Sequence, residues 1–152
     1  MLLDTNLLVL LLVGKTRRGL IRTFKRTSEF TEEDYDALED IVGKFQQVVT
    51  VPNVLTEVSN LCTGFLGNDS QRYLEAIIGH VNLIAEEYVP SKNVVSGGAF
   101  AHFGLTDAVL SEIAARHFLI LTVDGALYHF LVSLGLPAIN FNHIRTGYWE
   151  SS

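Results

Sequence analysis

The chain has 152 residues, one cysteine, a net charge of −6 and 48% hydrophobic residues. One domain of this length buries enough surface to fold unaided, and a lone Cys62 cannot form an internal disulfide. The acidic balance excludes a surface that is a nucleic-acid footprint throughout, while a mean hydropathy of +0.27 suits a sheet buried on both faces.

Met1 to Asp4 reads as a first buried strand, followed by helical sequence over Leu7 to Leu12. The apolar run to Val13 is interrupted by Asp4 and Asn6, lacks a basic lead and a small-residue cleavage site, and is too short to span a bilayer. A cytoplasmic chain with no membrane segment is the expectation, and the single thiol is consistent with a reducing compartment.

Lys15, Arg17, Arg18, Arg22, Lys25 and Arg26 place six of the eleven basic residues within twelve positions, and an acidic run from Glu29 to Asp40 follows. Both runs suit solvated helix faces. The basic run has a second reading, in which Arg18, Arg22, Lys25 and Arg26 track nucleic-acid phosphates. Leu20, Ile21 and Phe24 suggest a helix over Gly19 to Lys25, and Thr31-Glu32-Glu33-Asp34 opens another that turns Tyr35, Leu38, Ile41, Val42 and Phe45 inward.

Val48 to Val51 is a short β-branched strand closed by Pro52. Helical spacing resumes over Asn53 to Leu66, with Cys62 and Phe65 on its apolar face. A turn at Gly67 to Ser70 precedes a long helix carrying Tyr73, Leu74, Ile77, Ile78, Val81 and Ile84. Pro90 marks a change of direction. From Leu105 the pattern is a helix to His117, a strand Phe118 to Val123, a helix to Leu134 stopped by Gly135, and a strand Ala138 to Phe141. Strands alternating with helices predict right-handed crossovers and a three-layer α/β/α fold with a central parallel sheet. Residues 1–142 form a single domain with an extended helical segment at 14–47. A C-terminal tail covers 143–152, its Tyr148 and Trp149 read as packing.

Asp4 and Asp124 each end an apolar strand, where the carboxyl edge of a parallel sheet presents side chains to a cleft. Glu57 and Asp107 sit near helix starts, where either alone is an ordinary first-turn acid, with Thr106 able to cap the Asp107 helix. Asp4 can cap a helix, and Asp124-Gly125 can form a turn. Together, four acids in one cleft would repel, and a hard cation such as Mg²⁺ or Mn²⁺ would relieve them. The five histidines show no metal-ligand spacing, and no glycine-rich phosphate loop occurs.

Leu3-Asp4-Thr5-Asn6, the Glu57 helix, Gly104-Leu105-Thr106-Asp107-Ala108 and Leu121-Thr122-Val123-Asp124 resemble, in order and over nearly the whole chain, the acidic signature of PIN-domain nucleases. The segment from about Gly14 to Gln47 is longer than in compact members. The resemblance implies Mg²⁺- or Mn²⁺-dependent hydrolysis of phosphodiesters, in RNA before DNA, with Asp4, Glu57, Asp107 and Asp124 as metal-binding acids. Thr5, Asn6, Thr106 and Thr122 would hydrogen-bond those ligands or phosphate oxygens. Members include toxins of toxin–antitoxin pairs and RNA-processing enzymes, so an antitoxin-type protein partner and a homodimer are expectations from the family. The rival readings are a scaffold or partner-binding domain whose acids are only caps, and an aspartyl-phosphate phosphatase with Asp4 as nucleophile and Lys92 as its basic group.

Overall fold

The computed structural model describes residues 1–62 and 67–150, and side chains at all of these except 62, 68 and 146–150. Five strands form one parallel sheet: β1 (Leu2–Leu3), β2 (Val49–Thr50), β3 (Ala85–Glu86), β4 (Ile120–Thr122) and β5 (Ala138–Asn140), in the order β3-β2-β1-β4-β5. Helices α1 (Thr5–Thr16), α2 (Glu32–Gly43), α3 (Pro52–Cys62), α4 (Ser70–Val81), α5 (Gly98–Phe103), α6 (Leu105–Ala115), α7 (Gly125–Ser133) and α8 (Phe141–Glu150) flank it, giving the expected three-layer α/β/α architecture. The chain steps outward from β1 to β2 and β3, then returns past β1 to β4 and β5. Leu2 therefore sits between Val49 and Ile120, and the carboxyl ends of β1 and β4 form the crevice at which the strand order reverses.

The strands are shorter than the apolar runs that announce them. β1 leaves the sheet at Asp4 to begin α1, so β4 pairs with it only at Ile120 and Leu121, and with β5 from Ile120 to Thr122. β3 is absent from the sequence reading, because its two residues are exposed and neither β-branched nor aromatic.

Helix α1 is the centre of the core. Leu7 to Val13 are all buried, and α2, α3 and α4 pack around it together with β1 and β4. A helix apolar on every side is stable in water only when enclosed in this way. Gly14 leaves room for the Tyr35 ring of α2, since a Cβ there would lie 2.2 Å from it.

Local signals set most helix ends. Thr31 and Asp34 form a full capping box at the start of α2. After α7, the Leu136 N–H donates to Leu131 C=O and the Gly135 N–H to Val132 C=O, with Gly135 at φ 70°, a Schellman stop. Asp69 precedes α4 but makes no side-chain cap; its carboxylate holds Arg17 at 2.8 Å instead.

Four expectations change. The helix expected over Gly19 to Lys25 is one 3₁₀ turn (Arg18–Leu20) followed by turns, closed by bonds such as Thr27 N–H to Phe24 C=O. Burial there falls on Ile21, Phe24, Thr27 and Phe30, every third residue, the repeat of a 3₁₀-like path rather than an α-helix. Helix α4 buries Tyr73 and His80 and leaves Leu74 and Ile78 exposed, and Phe45 lies beyond α2 at the surface. The segment expected as a tail continues helically to Glu150 in α8, where Arg145 lies 3.8 Å from buried Asp34 and over the Phe30 ring. Phe65 and the side chains of Cys62, Tyr148 and Trp149 lie outside the described residues. Among the described residues, no helix is long and apolar enough to cross a membrane.

Gly14→Ala forces a methyl group into the Tyr35 ring, so we expect a loss of about 1–3 kcal/mol in urea unfolding, the usual range for overpacking a core. A variant as stable as the parent would show that α2 yields freely at this contact.

Candidate active site

Each acid is delivered to the crevice by a different element. Asp4 follows β1 and caps α1; it is 5% exposed. One oxygen accepts from the Leu7 N–H at 2.8 Å, the other from the Thr122 hydroxyl at 2.5 Å and the Val123 N–H at 2.9 Å. Burial pushes its pKa up as the largest influence; these bonds act in the opposite direction, and Asp124 adds a like charge.

Asp124 follows β4 and caps α7, accepting from the Ala126 and Leu127 N–H groups at 2.8 and 3.0 Å. Its turn is supported by Asn142, whose side-chain amide donates to Val123 C=O, and by Asn140, which accepts from the Asn142 N–H. This Asn-Phe-Asn support after β5 is a part the sequence reading missed; its only sequence signal is a strand ending between two amides.

Glu57 is not a first-turn acid. α3 begins at Pro52, whose fixed φ suits the first helical position, so Glu57 lies in the second turn. Its carboxylate is held from two sides: Thr5, the first residue of α1, donates to Oε2 at 2.7 Å, and Thr106 donates to Oε1. Thr106 therefore does not cap α6, whose N-cap is Gly104 without a side-chain bond.

Asp107 stands in the first turn of α6. Gly104, with φ 88° and ψ −175°, occupies a region open essentially to glycine alone, and it turns the chain from α5 directly into α6. Among the described residues, Asp107 has no hydrogen bond or ion pair. Burial first, then the charges of Asp124, Asp4 and Glu57, raise its pKa to about 7. Every one of these influences acts in the same direction.

All four acids line one cavity of about 540 Å³, with Thr5, Asn6 and Thr106 also at its wall. Thr122 lies beneath, bonded to Asp4. Arg26 is a cation on the same wall. The basic run thus divides. Arg18 is engaged by Asp36 at 2.6 Å and Glu32 at 3.4 Å, and Arg17 by Asp69, so these two join the acidic run into the fold. Arg22 and Lys25 are exposed, with no ion pair among the described residues. Lys92, the basic group a phosphatase would need, is not at the cavity wall.

The donor chemistry of the cavity suits a hard divalent cation, since its ligand atoms are carboxylate and hydroxyl oxygens. As the side chains stand, no group of three or more His, Cys, Asp or Glu among the described residues is disposed to hold a metal ion. Comparison with protein-family models, curated proteins and solved structures found no match.

Asp107 has a folded-state pKa above its unfolded value, so the native state binds the extra proton and stability falls as pH rises from about 4 to about 7. In metal-free buffer, Asp107→Asn is expected to flatten that slope and to match or exceed the parent's stability at pH 7. Asp4→Asn should instead destabilise by about 1–3 kcal/mol, because its amide would face donors that now have an acceptor. Urea unfolding between pH 4 and 8 reads both; parallel curves for parent and Asp107→Asn would remove the charge repulsion.

Proposed function

We propose that the chain is a PIN-like, divalent-metal-dependent nuclease hydrolysing phosphodiester bonds, in single-stranded RNA before DNA. The observation carrying this reading is the convergence of four acids from four elements on the crevice between β1 and β4, with Asp107 raised to about 7 by burial and its neighbours. A carboxylate cluster with that cost is a candidate functional site. Carboxylates that repel one another stand apart until a cation joins them, which accounts for an open cluster of the right chemistry.

Asp4, Asp107, Asp124 and Glu57 would hold Mg²⁺ or Mn²⁺, which when bound would supply a water of lowered pKa and positive charge beside the phosphate. The protein's own residues do the rest. Asp4, fixed by three donors, is the rigid wall of the site, and Asp107, without a hydrogen bond, is its free ligand. Glu57 is held by Thr5 and Thr106 to orient the attacking water and accept its proton. Arg26 and Asn6 face the same cavity and can donate to phosphate oxygens, while Arg22 and Lys25 hold the flanking strand through charge alone.

One observation favours the reading of the acids as structural caps: Asp4 and Asp124 do cap α1 and α7. It accounts for those two, and Glu57 ties α3 to α1 and α6 through Thr5 and Thr106, but Asp107 is left without a role.

Incubating the chain with a generic single-stranded RNA and Mn²⁺ separates these readings. Cleavage is expected, lost on chelation, and reduced by about 10²–10³ in Asp107→Asn, the scale of removing one transition-state charge contact. Mn²⁺ should also raise the melting temperature of the parent more than that of Asp107→Asn. An intact RNA and a melting temperature indifferent to Mn²⁺ would leave the acids as caps.

Replacing Arg22, Lys25 and Arg26 together with Gln is expected to weaken RNA binding and to flatten its salt dependence by about 0.7 for each phosphate no longer neutralised. Arg18→Gln should leave the salt slope unchanged, because Glu32 and Asp36 already hold that side chain. Equal slopes for parent and triple variant would return the run to a solvated surface.

A further inference from the structure

Glu57 and Thr106 belong to two cavities at once. Besides the acidic cavity they line a second, of about 530 Å³, between the first turns of α3 and the segment that follows β3. Its walls differ in kind from the first. Asn53 and Thr56 come from α3, Ser91 from the opposite side, and Tyr88 with Val89 and Pro90 supplies an aromatic and apolar surface.

Tyr88 is 66% exposed, yet the chain that carries it is fixed. The Glu87 N–H donates to Thr50 C=O at 2.8 Å, extending the β2–β3 ladder by one bond. Arg116 donates to Tyr88 C=O at 3.4 Å and pairs with Glu87 at 3.5 Å. The Tyr88 hydroxyl also donates to Glu86 at 3.0 Å, on the exposed side, while the backbone bonds hold the residue itself in position. The result is an aromatic face presented to solvent at little further entropic cost on binding. Around it, the side chains of Asn53, Thr56 and Ser91 make no hydrogen bond among the described residues, so donors and acceptors stand ready at the rim.

We propose that this second cavity is a nucleobase subsite: one base of a single strand stacks on Tyr88, and Asn53 hydrogen-bonds its edge. The adjoining phosphodiester then lies at the acidic cavity. The inference rests on the nuclease reading for which bond is cut. The chemistry is that of single-strand recognition, in which an exposed aromatic ring takes a base face and a side-chain amide takes its polar edge. Sharing Glu57 and Thr106 as lining sets the two cavities side by side, base site next to phosphate site, whereas the basic residues Arg22 and Lys25 offer charge without a surface for stacking.

The test is fluorescence anisotropy of a labelled ten-nucleotide single-stranded RNA, with Mn²⁺, on an Asp107→Asn background that slows turnover. Tyr88→Ala is expected to weaken binding about tenfold, and Tyr88→Phe, which keeps the ring, to stay within about twofold of the parent. Against an otherwise identical strand of abasic riboses, Tyr88→Ala and the parent should bind equally. Tyr88→Ala that binds the intact RNA like the parent, or that weakens both strands alike, overturns the subsite, as does a parent that binds no RNA. Cleavage by the chain with Asp107 in place is scored separately. Tyr88-dependent binding without cleavage keeps the subsite and sinks the nuclease reading; cleavage with binding indifferent to Tyr88 does the reverse.

Discussion

The carboxylate of Asp4 ties together three parts of the molecule at one point. It ends β1, starts α1 and is gripped by Thr122 and Val123 at the end of β4. A carboxylate this buried is expensive as an ion, and the three donors offset the loss of hydration. The start of the core helix and the crevice meet at that one group, since β1 and β4 are the strands between which the chain reverses.

Around Asp4 the other acids fall into a graded set. Asp124 is exposed and shares its charge with two helix N–H groups; Glu57 gives both oxygens to threonine hydroxyls; Asp107 has neither kind of relief. At Asp107 burial and the neighbouring charges of Asp124, Asp4 and Glu57 therefore act unopposed by any hydrogen bond among the described residues. Gly104, at φ 88° and ψ −175°, makes the turn from α5 into α6 and lines the cavity together with Asp107.

The strands that end on Asp4 and Asp124 are readable from sequence because a charge interrupts a continuous apolar run, a pattern that survives without tertiary information. The Thr31 capping box and the Gly135 stop are readable for the same reason, being chemistry confined to one turn. What escapes is set by partners distant in the chain. β3 exists only because β2 lends it a ladder, Arg18 is tied down by acids 14 and 18 residues away, and Thr106 turns to Glu57 rather than to its own helix end. Tyr88 looks like any surface tyrosine until Arg116 is seen to hold its backbone.

The burial of α1 also bears on synthesis. Leu7 to Val13 leave the ribosome before α2, α3, α4 and β4 exist to cover them, and β1 gains its β4 partner only after some 118 further residues, the separation between Leu2 and Ile120. Contacts this distant close slowly. In the interval the nascent chain displays seven consecutive apolar residues, a feature that makes partly made chains prone to association. A chaperone that holds short apolar segments would find its natural grip here, and would have to release it when β4 arrives.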